Sequence, residues 1–152
     1  MACCAGRIII SPRQYPLQFR RDYFCKRWIS HKAISLRLVL DVEERGKLSA
    51  KELRKRVSQW LKMVEKRTGK KPIIYSGAVF YHTNLAGYFN EYPWWVAHYY
   101  QRRPDNDGMA WRFWQHSDRG QVDGINGPVD FNVFNGTEEE LQGFVDGIKE
   151  TP

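Results

Sequence analysis

The chain has 152 residues, of which 42% are hydrophobic, 14% aromatic and 27% charged, and this composition excludes collagen-like, coiled-coil, low-complexity and disulfide-stapled proteins. No stretch approaches the roughly 18 to 20 apolar residues that a membrane helix needs, so we expect no membrane span. The net charge of +7 comes from residues 1–40, which hold eight Lys/Arg and one acid, whereas residues 41–152 hold sixteen of each.

Residues 1–35 differ from the rest of the chain. They contain all three cysteines without zinc-ligand spacing, and they lack the pattern of a secretory signal peptide. Basic and aromatic residues mix between positions 20 and 28, but no nucleic-acid recognition motif accompanies them, which favours a solvated segment and no nucleic-acid partner. We therefore divide the chain into an atypical basic segment, 1–35, and a folded part, 36–150.

From residue 36 onward, strand and helix patterns alternate. A capping box of Ser49 and Glu52 opens a long helix with apolar residues at helical spacing, and Thr137 with Glu140 caps a short final helix. The predicted strands lie near 37–42, 72–75, 94–98, 111–115 and 129–132, and the predicted helices near 50–67, 79–85 and after 137. This alternation is typical of an α/β fold with a parallel sheet, whose strand ends carry the active site in β/α barrels.

Two acids at the end of the first predicted strand are candidates for catalysis. Asp41 and Glu43 are two residues apart, so they share one face of the strand, and Val42 and Glu44 face the other way. Because two close carboxylates resist ionising together, one of them is expected to retain a proton, which protonation of a glycosidic oxygen requires. The alternative is a solvated strand end without chemistry. Asp130, with Asn132 on the same face of the last strand, favours a functional site.

Aromatic and amide side chains follow the other strands. Tyr75, Trp95 and Tyr99 have faces that can stack on sugar rings, and Gln115 can supply oriented hydrogen bonds. Packing in a barrel core explains the three aromatic residues equally well, so both interpretations stay open. His82 and His116 show no metal-ligand partner in the sequence.

Five segments in this order resemble glycoside hydrolase family 25, the Chalaropsis-type lysozymes or N-acetylmuramidases. The resemblance covers about residues 36–148, and its motifs are segments 38–44, 73–77, 94–99, 113–117 and 127–134. It implies an irregular, TIM-like β/α barrel that cleaves the β-1,4 bond between N-acetylmuramic acid and N-acetylglucosamine in peptidoglycan. It also implies action on the cell wall or outside the cell, with glycan strands as the partner and no metal or organic cofactor.

The same resemblance assigns roles to individual residues. Glu43 matches the proposed general acid, Asp41 the neighbouring aspartate of the D-x-E motif, and Asp130 the aspartate near the last strand. Residues at matching cleft positions are Tyr75, Trp95, Tyr99 and Gln115. The nucleophile stays open, because the N-acetyl group of the substrate can assist the reaction.

The chain departs from the family at its beginning. Family members place a first-strand aspartate and two more strand–helix units before the D-x-E strand, which needs on the order of 90 residues. Because only 40 residues precede Asp41, we expect an N-terminally incomplete barrel of about five parallel strands, from a truncated or frameshifted gene. Such a chain is expected to turn over weakly or not at all, and the alternative function is a non-catalytic remnant that binds cell-wall glycan. Exposed strand edges would favour self-association.

Overall fold

The computed structural model describes residues 7–9, 37–104 and 108–146. Predictions about the three cysteines and about the rest of the N-terminal segment lie outside these residues. The elements in chain order are β1 (Arg7–Ile9), β2 (Val39–Asp41), α1 (Ala50–Thr68), β3 (Ile73–Gly77), α2 (Ala78–Asn84), β4 (Trp94–Ala97), β5 (Trp111–Gly120), β6 (Val129–Phe134) and α3 (Glu138–Asp146). Among the described residues, no helix is both long and apolar enough to cross a membrane.

The strands form one sheet in the order β1-β2-β3-β4-β5-β6. Strands β1 to β5 run parallel to one another. This mixed α/β fold confirms the predicted class and the positions of the strands from β2 onward. The strand β1, which pairs Ile9 with Asp41, lies in the segment where no strand was predicted. Three residues are too few for a periodic pattern to show in a sequence.

The last strand runs antiparallel to its neighbour, so the prediction of five parallel strands was wrong at β6. The segment 121–128 that joins β5 to β6 contains no helix, and a parallel neighbour would need a crossover connection of about a dozen residues or more. Strand β5 continues to Gly120, beyond its predicted end at 115, and the two strands form a long hairpin. A Cβ at position 120 would come within 2.6 Å of the Phe131 ring, so a larger residue at this position would displace that ring.

Helix α1 forms as its sequence predicts. The Ser49 hydroxyl accepts a hydrogen bond from the Glu52 amide at 3.2 Å, and the Glu52 carboxylate accepts one from the Ser49 amide at 3.0 Å. The helix ends at Gly69, whose φ of 70° places it in the left-handed region that glycine adopts without strain. These two caps satisfy backbone groups at both helix ends, and they set the length of α1.

The apolar face of α1 covers one face of the sheet. Leu53, Val57, Leu61 and Val64 recur at helical spacing and are buried. Most of them join a single core with residues of β2, β3, β4 and α2 and of the segments that follow β2, α2 and β4: Leu40, Val42, Ile74, Trp94, Val96, Tyr81, Leu85, Tyr92 and Met109. Because side chains alternate along a strand, the residues between these core positions face the opposite side of the sheet.

Helix α3 packs near the first residues of β2. The Arg37 guanidinium lies 4.3 Å from the centre of the Phe144 ring and donates a hydrogen bond to the Lys71 carbonyl at 3.1 Å. The Phe144 ring also contacts Phe113 of β5, at 5.5 Å between ring centres, and Phe134 of β6. These contacts connect the segment before β2 with β5 and β6 through α3.

We expect Leu61→Ala to lower the free energy of unfolding by about 2–4 kcal/mol, because it leaves a cavity where Leu61 is fully buried. Urea unfolding followed by circular dichroism measures this change. Val79→Ala is the matched control, since Val79 is 79% exposed on α2 and should cost less than about 0.5 kcal/mol. Equal losses at the two positions would contradict the packing of α1 on the sheet.

Candidate active site

The strand register places three of the predicted site residues side by side. Asp41 of β2 pairs with Tyr75 of β3, and Tyr75 pairs with Trp95 of β4. Residues paired in parallel strands point to the same face, here the face opposite α1. The Tyr75 and Trp95 rings meet edge to face at 5.4 Å between centres. Asp41 and Tyr75 are buried, whereas Trp95 is partly exposed.

Gln115 of β5 binds two tyrosines, Tyr75 of β3 and Tyr99 in the segment after β4. Its Oε1 atom accepts hydrogen bonds from the Tyr75 hydroxyl at 2.7 Å and from the Tyr99 hydroxyl at 3.2 Å. The Gln115 carbonyl accepts a further bond from the His98 amide, which fixes the chain leading from β4 to Tyr99. Since Gln115 is itself buried, its amide is held in one orientation by these donors. The two tyrosine hydroxyls are therefore neighbours within the site.

The backbone around Val42 fixes the position of the acids. The Val42 amide donates to the Tyr75 carbonyl at 2.9 Å, and the Val42 carbonyl accepts from the Ser76 hydroxyl at 2.8 Å. The Val42 side chain is buried in the core shared with α1. Asp41 and Glu43 flank Val42 in the chain, and neither belongs to this core. Asp41 is buried and Glu43 is exposed. Glu43 is thus the exposed acid of the site and Asp41 the buried one.

Both acids affect the pKa of the Tyr75 hydroxyl. Burial raises the pKa of the Tyr75 hydroxyl well above its ordinary value of 10.0. The hydrogen bonding of the neighbouring Tyr99 hydroxyl and the negative charges of Glu43 and Asp41 raise this pKa further, in that order. Two carboxylates and a neutral phenol therefore act on one another at this face of the sheet, and the phenol remains a hydrogen-bond donor throughout the neutral range.

The hairpin contributes Asn132 to the site. Its Oδ1 atom accepts a hydrogen bond from the Trp95 indole at 2.9 Å, which holds the indole ring between Tyr75 and the hairpin. The sequence showed Asn132 only as a companion of Asp130, because its partner comes from a strand two places away in the sheet. Asp130 itself is exposed near the start of β6, between Val129, which pairs with Gly120, and Phe131, which pairs with Ser117.

The predicted residues thus fall into two sets. The strand ends bring together Asp41, Glu43, Tyr75, Trp95, Tyr99 and Gln115. Asp130 lies farther along the hairpin that also carries Asn132. Within the described residues, no group of three or more His, Cys, Asp or Glu side chains could hold a metal ion. The available chemistry is proton transfer by carboxyl groups beside aromatic faces and oriented hydroxyl groups.

Comparison with known proteins identifies the family. The chain belongs to glycosyl hydrolases family 25, whose model matches residues 14–125, and this confirms the resemblance seen in the sequence. The chain is 99% identical over 114 residues to the uncharacterized protein YegX of Escherichia coli O6:H1, which covers 75% of this chain and 42% of that relative. Lysozyme M1 of Streptomyces globisporus is 32% identical over 114 residues, 68% of this chain and 39% of that protein.

A solved structure shows the same fold. The bacterial lysozyme from Streptomyces coelicolor aligns with a TM-score of 0.67 at 29% sequence identity, over 75% of this chain and 58% of that chain. The matches with YegX and lysozyme M1 show that the chain spans about two fifths of the length of these curated relatives. The family match begins at residue 14, within the segment 1–35 that the sequence set apart from the folded part.

The raised pKa of Tyr75 predicts a loss of stability in alkaline solution. In the unfolded chain Tyr75 ionises near pH 10, whereas in the folded protein it keeps its proton to higher pH. The folded state then binds more protons, so this contribution to the free energy of unfolding is complete below pH 10. Above that pH it falls by up to about 1.4 kcal/mol per pH unit.

Tyr75→Phe should therefore make the free energy of unfolding less dependent on pH between about pH 10 and 11.5. Urea unfolding at a series of pH values measures the slope. Tyr92, whose pKa is raised to about 12 by burial and by its hydrogen bond to Glu65, contributes equally to both proteins. A slope unchanged by Tyr75→Phe would contradict the described environment of this hydroxyl.

Proposed function

We propose that this protein is a lysozyme-like N-acetylmuramidase that hydrolyses the β-1,4 bond between N-acetylmuramic acid and N-acetylglucosamine in peptidoglycan. In this proposal the sheet forms the larger part of an irregular β/α barrel, and the substrate binds on the face of the sheet opposite α1. It requires no cofactor, and its partner is the glycan strand of the cell wall. Family membership supports the reaction class, and the arrangement of side chains supports the site.

One observation carries the proposal. An exposed acid, Glu43, follows a buried one, Asp41, by two residues, and Asp41 is in register with Tyr75 of the Tyr75–Trp95 ring pair. Glycosidases need a carboxyl group that reaches the glycosidic oxygen, and sugar rings bind to aromatic faces. A solvated strand end, the alternative interpretation of these acids, would not place Asp41 in a buried position in register with Tyr75.

The proposed roles follow from exposure. Glu43 is accessible and acts as the general acid that protonates the leaving oxygen. Asp41 is buried next to Tyr75 and acts through its charge, which favours the protonated form of a neighbouring carboxyl group. Trp95, held by Asn132, and Tyr99, held by Gln115, orient the sugar. Either Asp130 or the N-acetyl group of the substrate completes the reaction, and a substrate without N-acetyl groups distinguishes these routes.

We expect Glu43→Gln to reduce cell-wall hydrolysis by about 10²–10⁴-fold. Glutamine keeps the size and hydrogen bonding of glutamate but cannot donate a proton to the leaving oxygen. Release of reducing ends from purified peptidoglycan measures the rate. Asp41→Asn should cost less and shift the acid limb of the pH profile.

Glu44→Gln is the matched control for the general acid. Glu44 is exposed like Glu43, but it lies one residue farther from the end of β2, where we expect its side chain to point away from Asp41, so the variant should leave the rate nearly unchanged. Equal losses at the two positions would contradict the assignment of Glu43. Binding of glycan without any turnover by the unsubstituted protein would favour the second candidate, a non-catalytic glycan-binding protein.

We also propose that the protein associates with itself through the hairpin. Phe131 and Val133 alternate along β6 and are 38% and 41% exposed, so one face of this strand presents apolar surface to solvent. Val133→Lys should lower the average mass measured by sedimentation. Val79→Lys, at a more exposed valine on α2, should not lower it. A monomer at high concentration in the unsubstituted protein would contradict this proposal.

A further inference from the structure

Tyr100 lies just beyond the site in a strained backbone conformation. Its amide donates to the His116 carbonyl at 3.0 Å, so the ladder between the end of β4 and β5 continues to this residue. Its φ is 59°, in the left-handed region that tyrosine rarely adopts. The residue is nevertheless 62% exposed. The positive φ of Tyr100 therefore raises the conformational energy of the backbone, although the aromatic ring remains largely in solvent.

Phe89 provides an internal comparison. It has nearly the same φ, 62°, but it is partly buried and packs against the hydrophobic core. Burial of an aromatic ring offsets the cost of such a conformation. Tyr100 lacks that compensation, because most of the residue remains in water. Strain that packing does not explain is found most often at functional sites.

The Tyr100 ring is nevertheless fixed in place. Its hydroxyl donates a 2.5 Å hydrogen bond to Oδ1 of Asp118 on β5. The guanidinium of Arg119 lies 5.9 Å from the ring centre, and its Nε atom is 3.9 Å from the same Oδ1. Within the described residues both contacts of Asp118 fall on Oδ1, so Oδ2 remains available to another donor. A sugar ring could stack on the hydrogen-bonded Tyr100 ring, and one of its hydroxyl groups could donate to Oδ2 of Asp118.

The position of Tyr100 relates it to the proposed active site. Its ring lies 6.2 Å from that of Tyr99, whose hydroxyl contacts Gln115 within the site. Asp118 lies between the register positions 117 and 120, and these pair with Phe131 and Val129, the neighbours of Asp130. Tyr100 therefore stands at the rim, between the site and the part of the hairpin that carries Asp130.

We infer that Tyr100 and Asp118 form an outer sugar-binding subsite for a β-1,4-linked glycan. One sugar ring stacks on Tyr100, while a ring hydroxyl donates to Oδ2 of Asp118. This inference rests on the proposed function, because it extends the same glycan beyond the rings at Trp95 and Tyr99. It predicts that affinity rises when the oligosaccharide becomes long enough to reach Tyr100.

Calorimetric titration with β-1,4-linked N-acetylglucosamine oligomers of two to six units tests the inference. Tyr100→Gly is the informative variant, since glycine adopts the positive φ without strain while the ring is lost. It should weaken binding of the hexamer about five- to tenfold and leave binding of the dimer unchanged. Tyr100→Phe keeps the ring and loses the bond to Asp118, so it should weaken hexamer binding only about two- to threefold.

Tyr88→Ala is the matched control. Tyr88 is also an exposed tyrosine with a guanidinium over its ring, that of Arg54 at 4.3 Å, but it lies in the segment after α2. This variant should bind the hexamer like the unsubstituted protein. Hexamer binding that is unaffected by Tyr100→Gly, or weakened equally for dimer and hexamer, would overturn the subsite alone. No oligomer binding by the unsubstituted protein would overturn both the subsite and the proposed function.

Discussion

The parallel register of β2, β3 and β4 is the constraint on which the site depends. Because side chains alternate along a strand, this register places Asp41, Tyr75 and Trp95 abreast on one face and Leu40, Ile74 and Trp94 on the other. A slip of one residue in any pair would exchange acids and core residues between the two faces. The packing of α1 prevents such a slip, since burying a carboxylate among aliphatic side chains costs far more than one hydrogen bond. Hydrophobic packing on one face thus specifies the polar geometry of the other.

The antiparallel hairpin extends the site beyond the ends of the parallel strands. Strand β5 supplies Gln115 where it pairs with β4, and then it continues alone with β6 toward Asp118. Asn132 reaches back from β6 to the Trp95 indole. A parallel β6 would have needed a long crossover connection, usually a helix, in place of the β5–β6 hairpin. The hairpin therefore accounts for the wall of the site that carries Asn132 and Asp130.

Local patterns were sufficient to predict much of this fold. The capping box at Ser49, the helical spacing after it and the apolar strands predicted α1 and the strands β2 to β4 to within a few residues, and they predicted the start of β5 but not its extension to Gly120. Strand direction depends on the length and content of a connection rather than on the strand itself, and for this reason β6 was assigned the wrong direction. The same limit applies within the site. Same-face geometry indicated Asp41 and Glu43, but the bonds from Trp95 to Asn132 and from Tyr99 to Gln115 are tertiary contacts that no local spacing encodes.

We propose that glycan binds on the face of the sheet opposite α1, against Trp95. The most direct measurement is a titration of ¹⁵N-labelled protein with a tetramer of β-1,4-linked N-acetylglucosamine, followed through the indole N–H signals of the six tryptophans. The Trp95 signal, assigned by Trp95→Phe, should shift strongly, because its indole N–H contacts Asn132 at the site. The signal of Trp94, buried on the opposite face, should hardly move. A saturable shift confined to Trp94 or to Trp60 of α1, with Trp95 unchanged, would contradict the account.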